Sequence, residues 1–206
     1  MSDDEKAWTP DPSQIRKAGE SPPQPSAEEL AAIEEMAKDH REMVESRLQV
    51  LDEWNRIESS LAEVIRATLN TPDPIIASIV YFTPHSFRTR TDMIGKLIDH
   101  MVKSHLKPRS LADDWKKLAD RLNRKRDVRN QAAHGHIISY AEPGGKHYIL
   151  LAPIVMQMDK YLEAYRDGKL PGSRVSDVKA AIDVAQKLKA AVETFLKDIR
   201  DAMATP

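Results

Sequence analysis

The chain has 206 residues, 41% of them hydrophobic and 31% charged, with a formal net charge of −1 and no cysteine. This composition suits one domain with a substantial core and excludes disulfides, thiolate nucleophiles and cysteine-rich zinc sites. No stretch approaches the roughly 20 consecutive apolar residues of a membrane helix, and the acidic start Met1-Ser2-Asp3-Asp4-Glu5 lacks the basic-then-apolar order of a signal peptide, so a cytoplasmic protein without membrane contact is expected.

The charge is unevenly placed. Residues 1–63 hold 16 acidic against 7 basic side chains, whereas residues 103–129 hold 10 basic against 4 acidic ones. The basic stretch creates a local field that attracts phosphates, although a solvated helix face balanced by acidic neighbours is the plainer reading.

Residues 1–25, with Pro10, Pro12, Pro22, Pro23 and Pro25 and few apolar side chains, read as a disordered, acidic, proline-rich tail. Residues 26–206 read as a single domain. Ser26 is a candidate N-cap with Glu28 and Glu29 in the first turn, and the helical pattern then runs to Leu69, as one helix or as two parted near His40. Val50, Trp54, Ile57, Leu61, Val64, Ile65 and Leu69 form an apolar stripe at spacings of three and four, and Glu58 interrupts it. After Thr71-Pro72-Asp73-Pro74, Ile75–Phe82 is expected to be a short buried helix. A third helix, from Ser86 to about Leu106, carries Phe87, Met93, Ile94, Leu97, Ile98 and Met101, with Arg90 inside its apolar arc. Lys107-Pro108-Arg109 ends it, and Ser110 is expected to cap a fourth helix bearing Leu111, Trp115, Leu118 and Leu122.

That fourth stripe continues to Arg129, so a cation stands where an apolar residue belongs. Asn130 and His134 lie one turn apart on a neighbouring row, with Arg126 and Lys125 just before, and Gly135 can supply a left-handed helix end. On an ideal helix Arg129 and His134 are about 140° apart. They converge only if the helix loosens at Ala133 or if both face a second subunit. Arg129 can instead be structural, in an ion pair with Glu58 supported by Arg90, and His134 can simply bond free carbonyls at the helix end.

Beyond Gly135, the runs 137–140 and 147–151 flank a turn-rich connection and predict a β-hairpin. A shorter helix around Met158, Leu162 and Tyr165 follows, ending at Asp167-Gly168. The last helix carries Val178, Ile182, Ala185, Leu188, Val192, Phe195 and Ile199. The fold expected is all-α, a four- to five-helix bundle with a small hairpin inserted at about 137–151. A zinc site assembled from His134, His136 and His147 is a weaker alternative, since neither a fixed ligand pair nor a carboxylate ligand accompanies them. His40, His100 and His105 carry no defensible chemistry.

The run Arg126-Asp127-Val128-Arg129-Asn130-Gln131-Ala132-Ala133-His134-Gly135 resembles the motif of the HEPN superfamily, Arg followed after four to six residues by His near the end of a bundle helix. The resemblance extends loosely over residues 45–200; the hairpin and the proline-rich tail lie outside the superfamily's core. It implies an HEPN-like bundle that dimerises so that two motifs face one cleft, and a metal- and cofactor-independent endoribonuclease of toxin or phage-defence type, with RNA as substrate and an antitoxin protein as a further partner. His134 would act as general acid or base. Arg129 would stabilise the scissile phosphate, Asn130 would orient either group, and Arg126 and Lys125 would bind phosphates. Other members of the superfamily bind without cutting, so a non-catalytic nucleotide- or protein-binding module, with Arg129 in a structural pair with Glu58, is the alternative.

Overall fold

A computed structural model of the protein describes residues 24–104, 107–141, 147–153, 166 and 172–204. The expected disordered tail, apart from its last two residues, and the expected helix around Met158, Leu162 and Tyr165 lie outside the described residues. The chain divides into two compact units, residues 1–35 and 36–206. The described elements are mostly helical, joined by a small antiparallel sheet: α1 (Ala27–Thr68), α2 (Pro74–Phe82), α3 (Phe87–Ser104), α4 (Ser110–His134), β1 (His136–Ala141), β2 (His147–Ala152), β3 (Ser173–Arg174) and α5 (Val175–Ala204).

In the first unit, Ser26 starts α1 as expected through a reciprocal capping box. The Ser26 N–H donates to Glu29 Oε2 at 2.7 Å, and the Glu29 N–H donates to Ser26 Oγ at 3.2 Å. The helix is a single one, uninterrupted near His40.

In the second unit, α1 buries Met43, Val50, Trp54, Ile57, Leu61, Val64 and Ile65 on one stripe. Leu69 departs from the expectation: it is 43% exposed because the helix stops at Thr68 and Asn70 turns the chain with φ 49°, a left-handed conformation that asparagine tolerates. α2 starts as the Pro72–Pro74 break predicts, with Pro74 in its first turn and the Asp73 carboxylate accepting from the Ile75 N–H at 2.8 Å. It is not the buried helix expected. Only Ala77 and Tyr81 are buried, and Ile75, Ile76, Ile79 and Phe82 are 66%, 49%, 61% and 51% exposed, because a helix apolar on every side can turn only one face to the core.

α3 buries Thr91, Ile94, Ile98 and Met101. It lies close to α4, where a Cβ on Gly95 would come within 3.1 Å of Trp115 Nε1. Ser110 is the first residue of α4 rather than its cap; Arg109 holds the cap position without a side-chain cap bond. Leu111, Trp115, Leu118 and Leu122 are buried as expected, and so are all seven core positions expected on α5. The hairpin also forms, with Ile137 opposite Leu151 and Tyr140 opposite Tyr148. β3 adds a third strand beside β2. Two residues are too few to register as a strand in sequence periodicity. The core draws on α1 to α5 together with Ile149 and Leu151 of β2.

Candidate functional site

Glu58 follows Ile57 on α1 and shares its inward orientation, leaving the residue 7% exposed in the core. A buried carboxylate needs compensating partners, and two arginines provide them. Arg90 of α3 places Nη1 2.8 Å from Glu58 Oε2, its Nε donates to the Pro84 carbonyl at 3.0 Å, and its guanidinium lies 5.3 and 5.2 Å from the ring centres of Tyr81 and Phe82, within cation–π range. Arg129 of α4 approaches the other carboxylate oxygen only to 3.8 Å, with its side chain 37% exposed. The three charges read from the sequence therefore do meet, in unequal roles: Arg90 is engaged on every side, while Arg129 is held loosely and reaches solvent.

These residues line a pocket of about 260 Å³ with Trp54, His85, Ser86, Phe87, Arg126, Asp127 and Asn130. That volume is below the 300–1,000 Å³ typical of drug-sized ligands. Burial, followed by the nearby Glu58 charge, pushes the Tyr81 phenol well above its ordinary range. Trp54 meets Phe87 edge to face at 5.6 Å, and its indole N–H is buried without a hydrogen-bond partner among the described residues. The Arg129 Nη1 donates to Asn130 Oδ1 at a long 3.4 Å, and Arg126 Nε is 3.7 Å from the exposed carboxylate of Asp127.

His134 does not line this pocket. It is exposed at the end of α4, one turn beyond Asn130. The helix does not loosen at Ala133, since the Gly135 N–H still donates to the Gln131 carbonyl at 2.7 Å, and the offset of about 140° between Arg129 and His134 stands. Nor does His134 satisfy the free carbonyls. Arg47 of α1 does, donating from Nε to Ala132 O at 2.6 Å and from Nη2 to Ala133 O at 3.1 Å, a cation at the negative end of the helix dipole. Gly135 is extended at φ −69°, ψ 153°, not left-handed as expected. Glycine is required there for space: a Cβ would lie 2.5 Å from Gln131 O and 2.9 Å from Ala152 O. Gln131 ties the same helix end to the sheet, donating to Leu151 O at 2.8 Å and to Ser173 Oγ at 3.0 Å.

Lys125 lies outside the pocket too. With Arg121 and Arg124 of α4 and Lys187, Val184 and Leu188 of α5 it lines a groove between the two helices, and none of these four cations has an ion-pair partner among the described residues. His136 and His147 stand at opposite ends of the hairpin, paired with Ala152 and Ala141, and no cluster of three or more potential metal ligands occurs among the described residues.

The sequence reading passed over Arg47, Gln131 and His85. Arg47 and Gln131 look like ordinary polar positions on amphipathic helices, and only the tertiary contacts reveal their targets. His85 sits in the Pro84-His85-Ser86 break, where no periodicity applies. No protein-family model, curated protein or solved structure matches the chain.

Proposed function

We propose that the protein is an HEPN-like, metal-independent endoribonuclease in which Arg129, assisted by Arg126 and Asn130, holds the scissile phosphate. The observation that carries this reading is the pocket itself: Arg129 has a buried carboxylate at its back, 3.8 Å away, and remains 37% exposed where a phosphate can reach it. Such a guanidinium keeps one side near its counterion and presents the other to the pocket, where it can stabilise charge developing on a phosphate. His134 is the proton-transfer residue that the motif implies. Because it projects away from its own chain's pocket, the reading includes a homodimer in which a second copy turns its motif toward the same cleft. A toxin of this kind would be restrained by a cognate antitoxin protein.

The test is incubation of the purified full-length protein with total RNA in EDTA, alongside Arg129→Ala and His134→Ala. Cleavage by the wild type that both variants lose supports the reading. Equal preservation of RNA in all three sinks it. The second reading is a non-catalytic nucleotide- or protein-binding module, favoured by the Glu58–Arg129 contact. It predicts that Arg129→Ala loses stability in proportion to that contact while RNA stays intact throughout.

A further inference from the structure

Among the described residues lining the Arg129 pocket, one side chain has both the chemistry of a general base and no competing partner. The three arginines remain charged at any physiological pH. Glu58 is held by Arg90 and Arg129. Ser86 Oγ is 2.6 Å from Thr89 Oγ1 and accepts the Thr89 N–H at 3.0 Å, and Asp127 is a carboxylate whose side chain is 84% exposed. His85 is exposed and forms no hydrogen bond or ion pair with a described residue. It is the only histidine in the lining, and imidazole is the side chain that changes charge between pH 5 and 8.

We propose that His85 is the general base of this pocket, acting on a phosphodiester of single-stranded RNA held by Arg126 and Arg129. The inference rests on the ribonuclease reading and divides its chemistry: the base comes from the same chain as Arg129, on the α2–α3 connection, and the motif histidine of the second copy keeps the role of acid. Neutral His85 takes the proton of the ribose 2′-hydroxyl as that oxygen bonds to phosphorus. The bond from phosphorus to the 5′-oxygen breaks, and the departing oxygen takes a proton from the imidazolium of the motif histidine, which regains one from solvent. The products are a 2′,3′-cyclic phosphate and a 5′-hydroxyl, and the His85 imidazolium returns its proton to solvent. Arg126 and Arg129 face the non-bridging oxygens where charge accumulates. The charged groups that line the pocket with His85 are Glu58 from α1, Arg90 from α3, and Arg126, Asp127 and Arg129 from α4.

The backbone that carries this base is held from behind. Arg90 Nε holds the Pro84 carbonyl, immediately before His85, so the same guanidinium that neutralises Glu58 also anchors the segment carrying the imidazole.

The experiment measures cleavage of a labelled single-stranded RNA in EDTA by wild type, His85→Ala, His134→Ala and Arg129→Ala, each with its RNA affinity and pH–rate profile. His85→Ala is expected to lower kcat by about 10²- to 10⁴-fold with little change in affinity, to lose the rise of rate through the imidazole range, and to recover activity when free imidazole is added. Wild-type rates in His85→Ala, with cleavage lost in His134→Ala, would overturn the proposal and leave the ribonuclease reading standing. Absence of cleavage by the wild type would overturn both. Loss of activity in His85→Ala without imidazole rescue and with an unchanged pH profile would also overturn it, because a merely structural role gives that result. His85 is exposed, so circular dichroism is expected to show the variant fully folded.

Discussion

Glu58 and Arg90 form a close ion pair, 2.8 Å between Oε2 and Nη1, with only 9% and 16% of their side chains exposed. The pair carries most of the neutralisation of Glu58, which leaves Arg129 with the long contact of 3.8 Å. Glu58→Gln therefore leaves the half-buried Arg90 charge without its counterion, and unfolding in urea is expected to show a loss of about 3 kcal/mol. Arg129→Ala, removing a half-exposed and distant partner, is expected to cost below about 1 kcal/mol. Equal losses in the two variants would mean that Arg129 is as structural as Arg90.

Arg47 joins α1 to the last turn of α4 by two charge-assisted bonds to Ala132 and Ala133. Arg47→Met keeps the aliphatic packing and removes both bonds, with an expected cost of about 2–3 kcal/mol. Hydrogen exchange is expected to accelerate at the end of α4 and in β1 ahead of the helix's first turns. Uniform acceleration along α4 would show that the contact does not act locally.

Gly135→Ala is expected to destabilise the protein by about 3 kcal/mol, because the new methyl meets backbone oxygens of Gln131 and Ala152 that no side-chain rotation can clear. The relevant quantity is space, not a left-handed backbone, so Gly135→Asn should do worse than Gly135→Ala. A thermal melt that ranks asparagine above alanine would contradict this.

The groove formed by Arg121, Arg124, Lys125 and Lys187 has no described acidic partner within ion-pairing distance. Under the RNA reading, replacing Arg121, Arg124 and Lys187 together by glutamine should weaken single-stranded RNA binding at low salt and reduce the slope of log affinity against log salt by about 2, at roughly 0.7 per phosphate contact. Fluorescence anisotropy across a salt series measures it. An unchanged slope would remove the groove from the RNA path.

The Ser26 capping box holds the Glu29 carboxyl below its ordinary range, chiefly through the Ser26 backbone N–H and then through its hydroxyl. A lowered folded-state pKa contributes stability above the unfolded value and loses it as pH falls through the folded value. The first turn of α1 is thus expected to fray on acidification below about pH 4.3, visible as amide shifts confined to residues 26–30. Glu29→Gln should shift that fraying to neutral pH only weakly, since the amide still accepts the Ser26 N–H.

Much of the fold was legible because burial leaves a periodic trace. The stripes of α1, α4 and α5 and the hairpin all follow from spacings that place apolar residues on one face. The trace fails where geometry is local or shared. Leu69 continues a stripe in sequence, yet the backbone has already turned at Asn70. α2 is apolar on every side, so sequence cannot say which face is covered. Gly135 is required, for a different reason from the one its position suggests.

Sequence by itself determined that Glu58, Arg90 and Arg129 lie on core-facing lines, since a charge at an apolar helical position is visible in one dimension. Only the tertiary structure decided which of them is buried and which is available. That depends on distances between helices, where a 1 Å difference separates a counterion from a loosely held cation. The tertiary structure likewise parted His134 from the Arg129 pocket and brought His85 to it, because a straight helix fixes the direction of its side chains while a connecting segment is placed by what it packs against.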